Sequence, residues 1–181
     1  MADLDLVALW EAHCRYEFET RDVDATMATM VAQPYVNHIP TMTGGVGHDE
    51  LKRFYKYHFI ANNPPDMTLE PVSRTVGASS VVDEMIIRFT HTTEIDWMLP
   101  GIAPTGRHVE IALVAIVQFD GDKLVNEHIY WDQASVLVQV GLLDPKGLPV
   151  AGAETARKVL DRTQPSNALM PGWSRSAGKP I

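Results

Sequence analysis

The order of the predicted elements constrains this chain most, because helical patterns come first and long strands follow. Apolar residues recur at helical spacing from Leu6 to Phe18, and two more helices are predicted over 23–31 and from Asp49 to Phe59. Four strands are then predicted over 67–76, 81–95, 107–119 and 123–131. Helices followed by an antiparallel meander are typical of an α+β fold and exclude the alternating β-α units of a Rossmann fold or a parallel barrel.

The length of the chain indicates one main domain. A chain of 181 residues with 45% hydrophobic and 21% charged residues has the composition of a globular protein. After Pro145 the composition changes, and a short helix near 154–162 precedes an end rich in proline, serine and glycine. We therefore expect a domain over residues 1–144 and a carboxyl-terminal extension over 145–181 that is docked or partly flexible.

Charge and hydropathy exclude several classes of partner. The chain has 15 basic and 23 acidic residues without a basic cluster, so a nucleic-acid-binding surface is not expected. No apolar run is long enough to span a membrane, and the first residues are acidic where a signal peptide would be basic. We therefore expect a cytoplasmic protein. The single cysteine, Cys14, allows no internal disulfide.

The turn around Gly121 predicts which side chains share a face of the last two strands. With a two-residue loop at 120–121 or 121–122, odd positions of the first strand lie opposite even positions of the second. A bulged three-residue turn at 120–122 would instead turn Glu127 inward and His128 outward. The two-residue loop gives one face an apolar row beside a polar row: Val109, Ile111, Leu113, Ala115, Val117 and Phe119, beside Asn126, His128, Tyr130 and Asp132.

This face predicts a pocket for a small molecule, because an apolar wall beside a few polar groups is typical of such sites. Asp132 is the first candidate for acid–base chemistry there, since an apolar surrounding raises the pKa of a carboxyl group. The alternative is that Asp132 only caps the short helix that begins at Gln133, and the two roles are compatible.

Other polar or aromatic residues are candidates for the same pocket, each with a structural alternative. His38 lies in a loop at the expected pocket mouth, where it contacts the ligand, holds Asp132 or is an ordinary loop histidine. Glu84 lies in an apolar strand, where an ion pair with Arg88 is the alternative. Trp97 belongs to an apolar rim at the pocket mouth or at a subunit contact.

Metal and phosphate sites are not expected. The chain has no HxH or HExxH spacing, which argues against a metal site built from His38, His91, His128, Glu84 or Asp132. His91 follows Thr90 at a strand end, so at most one of the two points inward. The glycine-rich segment 43–47 lacks the Gly-Lys-Ser/Thr ending of a phosphate-binding loop and is predicted to be a flexible lid.

The strand KLVNEHIYWD and the helix QASVLVQVGLL resemble the SnoaL-like polyketide cyclase branch of the nuclear transport factor 2 superfamily. The shared features are Glu127, Tyr130 and Asp132 in the strand, 139–143 at the helix end, and Pro-Thr-Gly at 104–106. The resemblance covers about residues 4–143. It implies amino-terminal helices packed in a strongly curved mixed or antiparallel sheet, a cone-shaped α+β barrel with a deep pocket, usually in a homodimer.

The resemblance also implies a chemistry. In the cyclases an aspartate at the end of the last strand is the acid–base group of an aldol ring closure, and Asp132 is similar to that residue. The cyclases carry a histidine on the preceding strand, where this chain has Gln118. Tyr35-Val36-Asn37 resembles the water-positioning pair of limonene epoxide hydrolase, but the Arg-x-Asp partner of that enzyme is not reproduced at Arg88.

The sequence thus predicts a cofactor-independent enzyme that acts on a small hydrophobic carbonyl or cyclic metabolite by proton transfer, as a cyclase-like lyase or isomerase. Asp132 would move the proton with help from Tyr130, His128 and His38. The predicted ligand-binding residues are Tyr35, Asn37, Trp97, Leu113, Glu84 and His91. A non-catalytic protein that binds a hydrophobic ligand, a cone filled by its own side chains, and epoxide hydrolysis are the alternatives. The expected partners are a small hydrophobic molecule and a second copy of the chain, without a cofactor, a metal, nucleic acid or a membrane.

Overall fold

The computed structural model describes residues 4–181 and confirms the predicted α+β fold. Helices α1 (Leu6–Phe18) and α2 (Val23–Ala28) precede β1 (Met30–His38), β2 (Thr43–Val46) and α3 (His48–Phe54). A π-helical turn (Tyr55–Phe59) and a 3-10 turn (Ile60–Asn62) lead to the strands β3 (Thr68–Val76), β4 (Ser80–Thr90), β5 (His108–Asp120) and β6 (Lys123–Trp131). The described chain ends with α4 (Gln133–Gln139), α5 (Glu154–Leu160) and a 3-10 turn (Trp173–Ser176).

Aspartate side chains begin three of these helices. Asp5, Asp22 and Asp132 each accept a hydrogen bond from the backbone N–H three residues further on, at 2.9–3.2 Å. Such a bond satisfies a donor that has no partner within the first helical turn. The bond at Asp132 confirms the capping role considered for that residue. Helix α2 ends sooner than predicted because β1 begins at Met30.

The six strands form one mixed sheet in the order β2-β1-β6-β5-β4-β3. Strands β3 to β6 form the predicted antiparallel meander, and β1 pairs with β6 in parallel. We call the face that packs against α1 and α3 the inner face. Strand β5 buries its odd positions from Val109 to Phe119 on this face, so the predicted apolar wall is confirmed.

The polar row on β6 that was predicted beside this wall is wrong, because a β-bulge in β6 reverses the faces of the strand. Asp120 pairs with Lys123, which confirms a two-residue turn at 121–122. Further from the turn, Gln118 of β5 pairs with Asn126 of β6. Val125 is therefore left without a partner, and the register shifts by one residue. Leu124, Glu127, Ile129 and Trp131 are therefore buried, while His128 and Tyr130 turn to the outer face.

The glycine-rich segment predicted to be a flexible lid is an edge strand. Residues 43–46 form β2 and pair with β1, with Gly44 opposite Asn37. Gly44 has a φ of +140°, and a side chain at this position would clash with the carbonyl oxygen of Val36. Only glycine fits there, because the backbone of β1 comes too close for a Cβ atom.

Part of the carboxyl-terminal extension contacts the outer side of the sheet. Arg157 of α5 forms an ion pair of 2.6 Å with Glu110 of β5, and the Ser135 hydroxyl donates to the Gly152 carbonyl at 2.8 Å. The domain boundary at residue 144 stays a prediction. Within residues 4–181, no helix has the length and apolar character needed to cross a membrane.

Candidate active site

A cavity lies between α1 and the inner face of the sheet. About 40 Å³ of it is open to the centre of a water molecule, whereas one water needs roughly 10–15 Å³ on that measure. The cavity is thus a small chamber with an apolar wall that includes two carboxylates. Its wall consists of Trp10, Cys14, Glu17, Phe18, Val36, His38, Tyr55, Phe59, Leu69, Met85, Ile87, Trp97, Leu113, Ala115, Glu127 and Ile129.

His13 connects these two carboxylates and is itself fully buried. Its Nε2 atom lies 3.1 Å from Glu17 Oε1 and 3.2 Å from Glu127 Oε1. His13 and Glu17 are four residues apart on α1 and therefore share a helix face. Glu127 comes from the inner face of β6, so the bulge in that strand is what completes the cluster.

The hydrogen bonds of Thr29 determine the protonation of the His13 ring. The Thr29 hydroxyl donates to the Thr26 carbonyl at 2.7 Å, and it lies 2.6 Å from His13 Nδ1. Because the Thr29 hydroxyl proton lies in the bond to Thr26, the Thr29 oxygen accepts the hydrogen bond from Nδ1–H of His13. Nε2 faces two acceptors and also carries a proton, which makes the ring an imidazolium. Burial lowers the pKa of His13, but Glu17 and Glu127 outweigh burial and raise the pKa to about 10.

Burial has the opposite effect on the acids around the cavity. Burial raises the pKa of Glu17, and the positive charge of His13 counteracts only part of that rise. Burial and the two carboxylates raise the pKa of the Tyr55 phenol well above its ordinary value, so Tyr55 remains a donor at neutral pH. The Tyr55 hydroxyl donates to Glu127 Oε1 over a long contact of 3.4 Å.

His38 is the second buried imidazole of the site, and it is neutral. Its Nδ1 lies 3.2 Å from the Thr43 carbonyl oxygen, which can only accept, so the proton is on Nδ1. Burial lowers the pKa of His38 to about 4. The lone pair is therefore on Nε2. Four aromatic rings lie 4.9–5.8 Å from the His38 ring between centroids: Phe54, Phe59, Trp97 and Trp131.

The buried cluster is also the place where a metal ion would find ligands. Among residues 4–181, only His13, Glu17 and Glu127 form a group of three possible ligands within 4.8 Å of one another. A metal would have to replace the Nε2 proton that bonds both carboxylates. Because Nε2 lies within 3.2 Å of an oxygen of each carboxylate, the cluster is explained as an ion-paired imidazolium.

Most of the residues predicted to be catalytic lie outside the cavity. Asp132 is exposed and caps α4, and Tyr130 is 42% exposed on the outer face. His128 also lies on the outer face, where its ring contacts Tyr35 edge to face at 5.5 Å. Of the four, only His38 lies in the cavity wall.

The predicted ligand-binding residues are divided in the same way. Trp97 and Leu113 line the cavity, and Trp97 is buried rather than part of an exposed rim. Tyr35 and Asn37 lie on the outer face of β1. Glu84 accepts from the Ser73 hydroxyl at 2.8 Å instead of pairing with Arg88.

Arg88 and His91 have structural partners instead. Arg88 forms ion pairs with Glu70 and Glu110. His91 is buried beside the Thr105 hydroxyl, outside the cavity wall.

Two residues of the cluster, His13 and Glu17, were missed by the sequence prediction, and one signal could have revealed them. Glu17 lies at helical spacing on the buried stripe of α1 that also contains Trp10 and His13. A carboxylate in such a stripe requires a partner, because burying an unpaired charge is costly. The histidine one turn earlier is the nearest possible partner in the sequence.

Comparisons with known proteins agree with the fold. Residues 10–127 match the model of the SnoaL-like domain family. TsrD from Streptomyces laurentii has a similar structure, with a TM-score of 0.61 and 15% identity over 77% of this chain and 99% of that one. A provisionally assigned polyketide cyclase from Acidithiobacillus ferrooxidans gives a TM-score of 0.59 and 19% identity over 77% and 96% of the two chains.

A third similar structure has a different assignment. AclR from Streptomyces galilaeus, provisionally assigned as a hydroxylase, has a TM-score of 0.57 and 19% identity over 76% of this chain and 85% of that one. No curated protein matches the chain. Neighbours at this level of identity share a fold, and chemistry has to be argued from the site.

Proposed function

Because the chain belongs to the SnoaL-like domain family, we propose that it is a cofactor-independent enzyme that moves a proton on a hydrophobic metabolite with a carbonyl group. The observation that carries this proposal is the pair of buried carboxylates, Glu17 and Glu127, in the wall of an apolar cavity. Burial raises the pKa of Glu17, and the apolar wall around both carboxylates limits the access of water to a reacting carbon.

Glu127 is the proposed base. It would take a proton from the carbon next to the substrate carbonyl, and the C–H electron pair would move into a carbon–carbon double bond. The carbonyl oxygen would become an enolate, which the Tyr55 hydroxyl stabilises by donating a hydrogen bond. The long 3.4 Å contact between Tyr55 and Glu127 supports this role, because the phenol can turn to a substrate at small cost.

Glu17 is the proposed acid, because its raised pKa allows it to take the Nε2 proton of the His13 imidazolium, 3.1 Å away, and to pass that proton to the substrate. Returning a proton to another carbon of the enolate would give an isomerase. If the enolate carbon instead attacked a second carbonyl, Glu17 would protonate the new alkoxide and a ring would close. His13 Nε2 lies within 3.2 Å of both carboxylates and supports the return of the proton from Glu127 to Glu17.

This proposal transfers the acid–base role from Asp132 to Glu127. Asp132 is exposed and already bonded to the backbone of α4, so its carboxylate lies outside the apolar cavity in which the reaction is proposed. His38 has a second function in this scheme. Its Nε2 lone pair can accept a hydrogen bond from a substrate hydroxyl at the far wall of the cavity.

The test is hydrogen–deuterium exchange at the carbons beside the carbonyl of simple methyl ketones, followed by NMR in heavy water. The protein should accelerate this exchange. Glu127→Gln should reduce the acceleration by about 100-fold or more, as expected for the loss of a general base. Asp132→Asn is the matched control, because Asn caps a helix as well as Asp does, and it should keep the wild-type rate.

Each result has a definite meaning. Loss of exchange in Asp132→Asn with full exchange in Glu127→Gln would restore the role predicted from sequence and contradict the proposal. Ketone binding without any exchange would favour a non-catalytic binding protein. Glu127→Asp, which keeps the charge but shortens the side chain, separates loss of the base from loss of folding.

A further inference from the structure

A cleft on the surface continues the cavity outward between α1 and the edge strand β3. About 430 Å³ of the cleft is open to the centre of a water molecule, roughly eleven times as much as in the cavity. The cleft is lined by six uncharged and five charged residues, and one of the charged residues, Asp83, is itself buried. The cleft is lined by Glu11, Cys14, Arg15, Phe18, Glu19, Met67, Leu69, Pro71, Arg74, Asp83 and Met85.

The cleft and the cavity share part of their walls. Cys14 and Phe18 of α1, Leu69 of β3 and Met85 of β4 line both spaces. We call these four residues the gate. Because the same four residues line both spaces, rotation of their side chains would widen the connection between cavity and cleft.

The chemistry of the gate suits the passage of an apolar molecule. Met85 is unbranched and can change rotamer at low cost. Phe18 contacts Phe59 edge to face, with the ring centroids 5.8 Å apart. Burial raises the pKa of the Cys14 thiol, so this residue remains an uncharged, weakly polar part of the wall.

We propose that cavity and cleft form one binding site for an elongated, largely apolar ligand. The cavity has room for only about three water molecules, so a hydrophobic metabolite of ordinary size must extend through the gate into the cleft. The carbonyl end would lie in the cavity beside Glu127. This last assignment rests on the proposed function, whereas the extended site itself does not.

The rim of the cleft indicates what the outer end of the ligand is. Arg74 is already held by Asp83 at 2.8 Å and by Glu11 at 2.7 Å. With Arg15 and Glu19 added, the rim has three acids and two bases. This balance does not favour an anionic ligand, and an uncharged polar end such as a hydroxyl or an ester fits it best.

The experiment measures binding of straight-chain methyl ketones from 2-butanone to 2-undecanone by calorimetry. Trp10 and Trp97 line the cavity, so their fluorescence gives an independent signal. In the wild type we expect the affinity to increase about fourfold per methylene, the value for full burial, beyond the length that the cavity holds. An affinity that stays constant after the shortest ketones would overturn the proposal, and so would the absence of binding throughout the series.

Two variants, one just before and one at the end of the edge strand β3, distinguish the cleft from the rest of the surface. Met67→Asp introduces a charge into the lining of the cleft outside the cavity wall, so long ketones should lose their added affinity while short ones bind as before. Val76→Asp is the matched control on β3, exposed and outside both spaces, and it should leave the whole series unchanged. Equal losses for short and long ketones in Met67→Asp would contradict the extended site.

The same series keeps this inference separate from the proposed function. Glu127→Gln should show the wild-type dependence on chain length while it loses hydrogen–deuterium exchange. If no ketone exchanges but affinity still rises with length, the extended site stands and the proposed reaction is wrong. If exchange occurs but affinity does not depend on length, the reaction stands and the extended site is wrong.

Discussion

At the scale of single residues, the cluster around His13 shows how buried charges depend on one another. The imidazolium donates from Nδ1 to Thr29 and from Nε2 toward two carboxylates, so each of its protons has an acceptor. None of these groups has the option of bonding to bulk water, because His13, Glu17 and Glu127 are buried. Removal of one member therefore leaves the others without compensation.

We expect His13→Gln to lower the free energy of unfolding by about 3–5 kcal/mol, the range found when one partner of a buried ion pair is removed. Glutamine is polar but uncharged, so the two carboxylates would be buried without a counter-charge. Urea denaturation followed by circular dichroism measures the loss. His48→Gln is the control, because His48 is exposed, and it should change stability by less than about 0.5 kcal/mol. A loss below about 1 kcal/mol in His13→Gln would mean that the cluster is not charged as described.

Single residues were predictable from sequence where the cause of their position is local. Asp132 was considered as a helix cap, and it is one, because capping depends only on the next three residues. His38 was placed in the site, although as a loop residue, and it lies at the end of β1 in the cavity wall. Glu127 was predicted on the outer face, with an inward direction as the alternative if the hairpin carries a bulge, because its direction depends on how β6 pairs with β5.

At the scale of elements, the bulge in β6 has a cause that the sequence contains. Leu124 is at an even position, whereas Ile129 and Trp131 are at odd positions, so a regular strand could not bury all three. The unpaired Val125 changes the alternation between them and lets each point inward. A change in the parity of large apolar residues along a strand is thus a signal for a bulge. The polar residues alone, Asn126, His128 and Tyr130, could not reveal it.

Strand β2 provides a prediction at this scale. Gly44→Ala should lower the free energy of unfolding by about 2 kcal/mol or more, because the new methyl group would meet the Val36 carbonyl of β1. Displacement of β2 would also remove the Thr43 carbonyl that holds His38. Thermal unfolding of the variant measures the first effect, and a change in tryptophan fluorescence reports the second through Trp97.

A second glycine variant separates the clash from backbone strain. Gly101 also has a positive φ, of +73°, but no atom lies within 4 Å of the position of a Cβ. Gly101→Ala should therefore cost only the strain of a left-handed backbone, about 1–2 kcal/mol. If both variants lost the same stability, the contact between β1 and β2 would not explain the glycine at position 44.

At the scale of the whole molecule, fold and site differ in how far the sequence determines them. The α+β class and the meander were predictable, because hydrophobic periodicity and turn residues act within each element. The cavity depends on which residues of α1, β1 and β6 meet, and β6 is far from the other two elements in the sequence. The homodimer stays a prediction, and the outer face with Tyr35 and Tyr130 is the surface on which to test it.

The two buried histidines predict how the stability of the whole molecule depends on pH. The pKa of His13 is about 10 in the folded protein and about 6.5 when unfolded. The folded state therefore holds more protons between these values, and stability present below pH 6.5 is lost as the pH rises toward 10. The pKa of Glu17 is also raised, which has the same sign. Each group contributes a slope of at most about 1.4 kcal/mol per pH unit.

His38 acts in the opposite direction on the acid side. Its pKa is about 4 when folded, so the unfolded state binds a proton first as the pH falls below about 6.5. The stability contributed by neutral His38 should then be lost from pH 6.5 toward 4. The raised pKa of Glu17 opposes this loss, because the contribution of Glu17 decreases as the pH rises above its ordinary value. Urea unfolding between pH 4 and 10 should thus show a steep loss of stability above pH 6.5 and a shallow profile below it, in the wild type and in His48→Gln. His38→Phe should change the acid side alone, so that stability increases as the pH falls from 6.5, and an unchanged acid side in that variant would show that His38 does not contribute to it.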